Sequence, residues 1–260
     1  MNLEEFAKKE ALLNKNEIFS FNFEDKKYWL KRARETKPNR IQKFFYRIFP
    51  FELLIPALAK DSKEALLFET TKIEKFKELG INVPNIVYKS EDFFVLEDCG
   101  MTIYSILRDE NIEEKNFYFY IDLVLKELAK IHSIGFFHGG SQLRNFTFKD
   151  GKVFVIDFEE SFDENIDVRS LQYRDFLLFL LSFLKIKELS FKIDYEKIIN
   201  RYLKISKNYE IKDKLLNFSA KLQFFLYLYK KEFIRKRVGS DVKYFFELIE
   251  ILNNMDKNAK

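Results

Sequence analysis

The sequence predicts an α+β protein with two lobes, a small β-rich N-terminal lobe and a larger helical C-terminal lobe. Two short runs rich in aromatic residues, 18–22 and 27–32, are typical of strands. A further strand pair is indicated at Ile86–Lys89 and Phe93–Glu97, on either side of a polar turn. After this pair, apolar residues recur at helical spacing almost to the end of the chain. These three patterns place the boundary between the lobes near residue 97.

The N-terminal lobe, 1–97, is expected to contain one helix in addition to its strands. Residues 62–79 carry apolar side chains at helical spacing, and Gly80 stands where a helix C-cap is common. Before this helix lies an insertion, 32–60, which is rich in basic and aromatic residues. We therefore expect an extra segment beside the sheet of this lobe.

The C-terminal lobe, 98–260, is expected to be helical except for one loop and hairpin. A long amphipathic helix over 116–134 ends at Gly135, and the turn-rich stretch 136–159 follows it. Clefts between two lobes commonly hold ligands. The loop and hairpin are therefore the first place to look for a functional site.

The composition excludes several classes of protein. Of the 260 residues, 47% are hydrophobic and 33% are charged, which is typical of a globular chain and not of a disordered one. One cysteine, Cys99, excludes an internal disulfide, and with two histidines it cannot form the usual zinc site. Residues 1–16 lack the apolar core of a signal peptide, and no apolar run approaches the roughly 18 residues of a membrane span. We expect a cytoplasmic protein, or one that lies on the inner membrane from that side.

Two oxygen-bearing side chains flank the hairpin of the C-terminal lobe. Asn145 precedes its first strand and Asp157 follows its second, and the turn at Asp150-Gly151 is a good hairpin signal. Because paired strands bring their ends together, an amide oxygen and a carboxylate are expected side by side. Both are hard ligands suited to Mg²⁺ held between protein and phosphates, as metal-assisted phosphoryl transfer requires. The alternative is that both residues serve only in turns.

A family resemblance supports this interpretation. The order H-G-x(5)-N, a hairpin and then I-D-F, which spans 138–158, resembles the catalytic loop and metal-binding motif of the protein-kinase-like superfamily. The chain is most similar to its bacterial branch of lipopolysaccharide core and Kdo kinases, over about 17–184. The resemblance implies a two-lobed protein-kinase-like fold that uses ATP and Mg²⁺. It also implies that Asn145 and Asp157 bind the Mg²⁺.

The same resemblance assigns cofactor-binding roles in the N-terminal lobe. Lys31 matches the lysine that contacts the α- and β-phosphates, and Glu69 matches the helix glutamate that pairs with it. Glu64 or Glu74 takes that role if the register of the helix is shifted. Glu97 lies in a segment that resembles the hinge, whose backbone would meet the adenine.

The chain departs from the family pattern at three places. The position of the catalytic aspartate holds Gly140, the motif glycine after Asp157-Phe158 is replaced by Glu159, and no glycine-rich phosphate loop precedes Lys31. Phosphoryl transfer has a loose transition state, in which positioning and charge stabilisation dominate, and a general base contributes only about 10²–10⁴-fold. The departures therefore permit an enzyme, but they also permit a pseudokinase that binds nucleotide or serves as a scaffold.

Other residues of the loop are candidates for the transfer step. Arg144 could stabilise phosphate charge, and Glu159 could replace the missing base, with Glu160 and Asp163 as alternatives. His138 is also a candidate catalytic residue, although a loop histidine commonly bonds nearby backbone. Asp175, at the head of an apolar helix, resembles the buried aspartate that braces the catalytic loop.

Basic and aromatic residues interleave through 32–51. On an interfacial helix, the basic residues would meet anionic head groups while the aromatic ones enter the acyl boundary. The alternative is an insertion that packs between the lobes and has a solvated basic face. A second basic cluster, 230–237, is interpreted as a solvated helix end. Neither cluster is accompanied by a nucleic-acid-binding motif, so no nucleic-acid partner is expected.

The expected function is ATP- and Mg²⁺-dependent phosphorylation of a sugar hydroxyl of the lipopolysaccharide inner core. The expected substrate is a lipid-linked core oligosaccharide or another sugar. The alternatives are the pseudokinase and a kinase that acts on protein or on an aminoglycoside-like small molecule. A protein substrate is disfavoured because Asp157 is followed closely by the helix that begins near 167, which leaves no peptide-positioning segment.

Overall fold

The computed structural model of the protein describes residues 1–37 and 40–258. It confirms the α+β fold class. A small antiparallel sheet lies in the N-terminal region and the larger C-terminal part is helical, as in a two-lobed protein-kinase-like fold. No helix within these residues is long and apolar enough to cross a membrane.

In the described part of the chain, seven strands form two antiparallel sheets. The first sheet has the order β1-β2-β4-β3, and the second has the order β5-β6-β7. The strands are β1 (Ile18–Phe23), β2 (Lys26–Arg32), β3 (Ile86–Lys89), β4 (Phe93–Glu97), β5 (Met101–Thr102), β6 (Phe146–Lys149) and β7 (Lys152–Val155).

Helices account for most of the remaining described residues, and two 3₁₀ turns, Glu52–Leu54 and Leu143–Asn145, connect elements. The helices are α1 (Leu3–Leu13), α2 (Arg40–Ile48), α3 (Ser62–Glu78), α4 (Ile103–Leu107), α5 (Glu114–Ser133), α6 (Val168–Phe183), α7 (Tyr195–Ser206), α8 (Glu210–Lys221), α9 (Gln223–Tyr229), α10 (Glu232–Arg235) and α11 (Ser240–Asn258).

The two faces of the first sheet have different partners. Side chains alternate along a strand, so successive residues of β2 point to opposite faces. Tyr28 and Leu30 are buried in an apolar cluster with α1. Lys31 lies on the other face, where it contacts Glu69 of α3. The alternation of β2 therefore separates a packing face from a face that looks toward the functional residues.

Helix α1 is absent from the sequence-based prediction. It begins after Asn2, whose side chain accepts a hydrogen bond from the backbone N–H of Glu5, while the Glu5 carboxylate accepts one from the N–H of Asn2. This capping box is a local signal for a helix start. The buried residues of the helix are Ala7 and Ala11, and such small side chains give a weak amphipathic pattern. The pattern is therefore easy to miss.

Helix α3 and the hairpin agree with their predictions. A capping box between Asp61 and Glu64 starts α3, and Gly80 follows its end with a φ of +76°. Strands β6 and β7 pair in antiparallel fashion. Their turn places Asp150 at φ +50° and Gly151 at φ +78°, the left-handed conformations that an Asp-Gly hairpin turn requires.

The C-terminal lobe is built around α5 and α6. Phe117 and Leu128 of α5 and Phe176 and Phe179 of α6 are fully buried. The ring of Tyr202, on α7, stacks on Phe176 with 4.1 Å between centroids. Large interlocked rings leave few alternative packings, so the lobe forms a fixed base for the loop that precedes the hairpin.

The insertion between β2 and α3 reaches across to the C-terminal lobe. Thr36 and Lys60 form an isolated antiparallel bridge near its ends. The N–H of Leu58 donates to the carbonyl of Ser161 at 2.8 Å, and Lys60 Nζ donates to the Ser161 hydroxyl at 2.7 Å. The insertion is thus partly a packing element, as one alternative proposed. Residues 38–39 of the predicted basic and aromatic segment lie outside the described residues.

Candidate active site

The site centres on the ammonium group of Lys31. Its Nζ lies 2.7 Å from Glu69 Oε1, 2.9 Å from Asp157 Oδ1 and 2.8 Å from Glu159 Oε1. Burial by itself lowers the pKa of this lysine, but the carboxylates outweigh burial and raise its pKa above the usual value. Lys31 is therefore charged, and it joins strand β2, helix α3 and the segment after the hairpin.

The ion pair between Lys31 and Glu69 was predicted, and the structure confirms the pairing. Glu64 instead caps the start of α3, and Glu74 is exposed on the same helix. Glu69 is 4% exposed. Burial, with a smaller contribution from nearby carboxylates such as Asp157, raises the pKa of Glu69 to about 7, against the opposing effect of Lys31. The single positive charge of Lys31 thus contacts three carboxylates and cannot neutralise all of them.

Asp157 follows β7 in a left-handed conformation, with a φ of +68°. Aspartate tolerates this region better than most residues, but it still costs about 1 kcal/mol. The carboxyl group is 37% exposed. Burial tends to raise the pKa of Asp157, yet the charge and hydrogen bond of Lys31 hold it below the usual value. The site therefore presents an ionised carboxylate that still reaches solvent.

Asn145 lies at the same end of the hairpin as Asp157. Its backbone carbonyl accepts the N–H of Ile156, the residue before Asp157, at 3.0 Å. Its side-chain Nδ2 donates to the carbonyl of Gly140 at 2.7 Å, which fixes the orientation of the amide. The side-chain oxygen takes part in no hydrogen bond among the described residues. The sequence-based prediction that these two residues adjoin is confirmed.

The donor set fits Mg²⁺ that is shared with phosphates. Amide and carboxylate oxygens are the ligands that this ion prefers, and it commonly takes only one or two carboxylates and completes its shell with phosphate and water. Within residues 1–37 and 40–258, no group of three or more His, Cys, Asp or Glu residues could hold a metal ion. Asn145 and Asp157 would thus supply two oxygen ligands to such an ion, which would need further ligands from outside the protein.

The loop that carries Asn145 is held by Asp175, as predicted. This carboxylate is fully buried and accepts the backbone N–H groups of His138 at 2.6 Å and of Gly139 at 2.9 Å. Burial tends to raise the pKa of Asp175, but His132 and these donors hold it below the usual value. Arg174, the preceding residue, donates to the carbonyl of Gly139. Adjacent residues of α6 thus bind both sides of one peptide segment.

His138 lies behind the loop. Its ring is fully buried and contacts Phe158, with 5.1 Å between ring centroids. Its Nδ1 accepts the N–H of Gly140 at 3.1 Å. Burial lowers the pKa of His138 to about 4, so the ring is neutral near pH 7. This position gives the histidine a role in shaping the loop, and its predicted contact with the reaction stays a prediction.

The three candidate bases have different surroundings. Glu159 pairs with Lys31 and, at 2.9 Å, with Arg34. Glu160 pairs with Arg174 at 2.9 Å, and burial raises its pKa. Asp163 is exposed and accepts hydrogen bonds from its neighbour Asn165. Of the three, Glu160 lies against the loop that carries Gly140.

Two further predicted residues lie away from the Lys31 cluster. Arg144 is exposed on the loop, where its charge contributes to the lowered pKa of Asp157. Glu97 ends β4, and its carboxylate accepts a hydrogen bond from the Asn85 side chain at 2.6 Å. Beside it, the indole N–H of Trp29 donates to Asp98 at 2.8 Å. The structure therefore places Arg144 next to Asn145 and Glu97 at the lobe connector.

Lys72 is a site residue that the motif comparison missed. Its Nζ donates to the carbonyl of His138 at 2.8 Å and lies 4.5 Å from the ring centre of Phe137. Burial lowers the pKa of Lys72 to about 8. The available signal was its place three residues after Glu69, on the same side of α3. This lysine connects α3 directly to the loop that carries Asn145.

The space beside Lys31 is closed in this conformation. The cavity lined by Lys31, Arg34, Glu69 and Glu159 measures about 10 Å³. Glu159 accounts for the closure, because its carboxylate bridges the two basic side chains. A phosphate group that contacts Lys31 from this side must therefore replace Glu159.

Comparisons with known proteins give two similarities. An uncharacterized protein of Haemophilus influenzae is 30% identical over 188 residues, which cover 72% of this chain and 71% of that protein. The KEOPS complex subunit Bud32 of Pyrococcus abyssi is 26% identical over 160 residues, which cover 59% of this chain and 70% of that subunit. No protein-family model matches the chain. With the fold, the distant similarity to Bud32 indicates the protein-kinase-like superfamily.

Proposed function

We propose that this chain, which belongs to the same family as the uncharacterized Haemophilus influenzae protein, is an ATP- and Mg²⁺-dependent phosphotransferase. The proposed acceptor is a sugar hydroxyl of the lipopolysaccharide inner core. The observation that carries the proposal is the convergence of Lys31, Glu69 and Asp157, with Asn145 at the adjoining end of the hairpin. The similarity to Bud32 supports the phosphotransferase class.

In this proposal, Lys31 and Glu69 form the phosphate-binding pair. The ammonium group of Lys31 would contact phosphate oxygens of the nucleotide, and Glu69 would hold it in place from α3. Glu159 now occupies a position that a phosphate would take. Binding therefore exchanges one anionic partner of Lys31 for another, which keeps the buried charge compensated.

Asn145 and Asp157 would hold the metal ion. Mg²⁺, when bound, neutralises charge on the phosphates as the phosphoryl group is transferred. The hydrogen bond from Asn145 Nδ2 to the Gly140 carbonyl fixes the orientation of the amide, so that its oxygen would be available to the ion. Asp157 must release Lys31 or share its carboxylate between the lysine and the metal, which its partly exposed side chain allows.

The acceptor side of the site depends on positioning more than on a base. Gly140 provides no side chain, so the acceptor hydroxyl can lie close to the loop. Arg144 would stabilise charge on the transferred group, and Glu159 or Glu160 would receive the proton. Glu160 is favoured by its place against Gly139, and Glu159 by its place beside Lys31.

The proposal is tested by nucleotide binding. Calorimetry with ATP should show binding that requires Mg²⁺ and is abolished in Asp157→Ala. Asp163→Ala, which removes an exposed turn carboxylate, is the matched control and should bind as the wild-type protein does. Equal, Mg²⁺-dependent binding by wild type and Asp157→Ala would refute the metal assignment.

A pseudokinase is the second candidate, favoured by Gly140 and by the closed cavity beside Lys31. Incubation with ATP, Mg²⁺ and extracted core oligosaccharide distinguishes the two. The phosphotransferase predicts a phosphate increment in the mass of the oligosaccharide. Nucleotide binding without turnover over a range of sugar acceptors would favour the pseudokinase.

A further inference from the structure

Two basic and aromatic segments that are distant in the sequence meet in the fold. Phe49 follows α2, and its ring contacts Phe225 of α9 edge to face, with 5.0 Å between centroids. Phe51 makes a similar contact with Phe218 of α8 at 5.5 Å. These contacts place the C-terminal end of α2 beside α9, and α10 packs on α9 in turn. We call the outward side of α2, α9 and α10 the basic–aromatic surface.

Large apolar side chains are exposed along this surface. On α2, Phe44 is 59% exposed and Ile48 is 51% exposed. On α9 and α10, the exposed fractions are 64% for Phe224, 58% for Tyr227 and 63% for Phe233. Single exposed apolar residues are common, but a group of this size on neighbouring helices is typical of a binding surface.

The net charge of the surface is positive. Residues 40–51 contain three basic residues and no acidic residue, and 221–237 contain six basic residues and one acidic residue. Lys230 and Lys236 are paired, with Glu250 and Glu232 respectively. The following exposed basic residues form no ion pair within the described part of the chain: Lys43, Arg47, Lys221, Lys231, Arg235 and Arg237.

We infer that the basic–aromatic surface docks on an anionic lipid bilayer. Lysine and arginine side chains are attracted to anionic head groups, and aromatic and isoleucine side chains enter the boundary between head groups and acyl chains. A surface for single-stranded nucleic acid would also combine basic residues with aromatic rings, on which bases stack, but it would not need an exposed aliphatic side chain such as that of Ile48. The combination of both types on adjoining short helices favours lipid.

The surface adjoins a cavity that α2 forms with the segment after Asp157. Lys43 and Tyr46 of α2 line a cavity of about 490 Å³, together with Asp163 and Asn165 from the segment after Asp157. A bilayer held against the outward side of α2 would therefore be next to this cavity. The inference deepens the proposed function, on which it rests for the lipid-linked nature of the acceptor.

Sedimentation with vesicles tests the inference with the full chain. We expect binding to vesicles of mixed phosphatidylglycerol and phosphatidylcholine, and little binding to phosphatidylcholine alone. Lys231→Gln/Arg235→Gln should weaken binding about 30-fold, since each basic side chain near an anionic surface contributes about a factor of five. Phe224→Ser/Phe233→Ser should weaken it about tenfold or more.

Matched controls lie on α5. Lys115→Gln/Lys126→Gln removes two exposed charges, and Phe119→Ser removes a ring that is 51% exposed. Both should bind vesicles as the wild-type protein does. All variants are exposed substitutions, and their thermal unfolding should match that of the wild type.

The inference is overturned if anionic vesicles do not bind, or if the surface variants bind no more weakly than the α5 controls. Binding of an RNA homopolymer without binding of vesicles also overturns it. Mg²⁺-dependent nucleotide binding is measured on the same preparations. If the wild-type protein binds Mg²⁺-nucleotide but not anionic vesicles, the docking surface alone is rejected. If it binds anionic vesicles but not nucleotide, the phosphotransferase alone is rejected.

Discussion

Glu159 Oε1 lies 2.8 Å from Lys31 Nζ, so a carboxylate of the chain itself contacts the ammonium group that the proposed function assigns to phosphate. The same carboxylate contacts Arg34 at 2.9 Å. Each of its two oxygens thus contacts one of the two cationic side chains that border the small cavity beside β2. In the proposed function, this carboxylate competes with phosphate for Lys31.

We predict that Glu159→Gln raises the affinity for Mg²⁺-ATP about tenfold. The amide is neutral, so it cannot form the two charge-assisted bonds, to Lys31 and Arg34, that a phosphate must otherwise replace. Such bonds contribute about 1.5–3 kcal/mol each, and the bond to Arg34 contributes less because that side chain is exposed to solvent. Titration calorimetry measures the change. Glu160→Gln, which alters a carboxylate paired with Arg174, is the control and should leave the affinity unchanged.

The same variant separates two roles of Glu159. If this residue also accepts the proton of the acceptor, the rate of phosphorylation falls about 10²-fold or more while affinity rises. If it only competes with phosphate, the affinity rises and the rate is maintained or increased. An affinity equal to that of the wild-type protein contradicts the competition, whatever the rate.

Glu69 should make stability depend on pH in an identifiable range. The pKa of Glu69 is raised to about 7 from an ordinary value of 4.5. The folded protein therefore binds more protons at this group than the unfolded chain does, and its contribution to the free energy of unfolding falls as pH rises from about 4.5 to 7. The full change is about 3 kcal/mol.

Urea unfolding of wild type and Glu69→Gln at pH 4.5 and pH 7.5 measures this change, because the amide does not titrate. Relative to the wild-type protein, Glu69→Gln should be more stable at pH 7.5 than it is at pH 4.5. Glu74→Gln, exposed on the same helix, should retain the wild-type pH dependence. A parallel pH dependence in wild type and Glu69→Gln would contradict the raised pKa.

Sequence patterns predicted the parts of the site that depend on local structure. Asn145 and Asp157 adjoin because a hairpin with an Asp-Gly turn brings its ends together, and that turn is visible in the sequence. The pairing of Lys31 with Glu69 followed from a strand and a helix placed in the order of a known family. Each prediction needed one short-range pattern and one resemblance.

Other features depend on long-range packing, and no local pattern encodes them. The pairing of Glu159 with Lys31 and Arg34 joins positions that are far apart in the chain. The contact between Phe49 and Phe225 likewise brings together two segments that the sequence treats separately. Which residues form such long-range pairs depends on how the lobes pack, so the charge and aromatic content of a segment could not identify the pairs.

Among the residues that hold the loop in place, Asp175 of α6 should be the most costly to remove. Its carboxylate is fully buried and accepts the N–H groups of His138 and Gly139. Asp175→Ala leaves both donors buried without their acceptor, and we expect a loss of about 3 kcal/mol or more in the free energy of unfolding. Asp175→Asn keeps one acceptor oxygen and should lose less.

Guanidinium denaturation provides the measurement, and Mg²⁺-nucleotide binding provides a second readout because the same loop carries Asn145. Ser170→Ala, at the start of the same helix, controls for substitution in α6. Equal stability of Asp175→Ala and wild type would show that the loop does not depend on this carboxylate.

A substitution at Gly139 tests whether the shape of the loop controls the orientation of the Asn145 amide. It has a φ of +106°, and a Cβ atom built there would lie 3.2 Å from Glu160 Cβ and 3.3 Å from the Glu160 carbonyl oxygen. Gly139→Ala must therefore shift the backbone of Glu160 or of the loop. We expect a loss of about 3 kcal/mol in the free energy of unfolding, and weaker binding of Mg²⁺-ATP because the neighbouring Gly140 carbonyl orients the Asn145 amide.

Gly135 is the matched control for this prediction. It has a φ of +78°, and a Cβ atom there would meet nothing within 4 Å. Gly135→Ala incurs only the cost of the left-handed conformation, about 1 kcal/mol, and should bind Mg²⁺-ATP as the wild-type protein does. Equal losses of stability and unchanged nucleotide binding in both variants would mean that contact with Glu160 does not shape the loop. A larger loss in Gly139→Ala, accompanied by weaker binding, connects the packing of two adjacent segments to the position of the amide proposed to bind the metal.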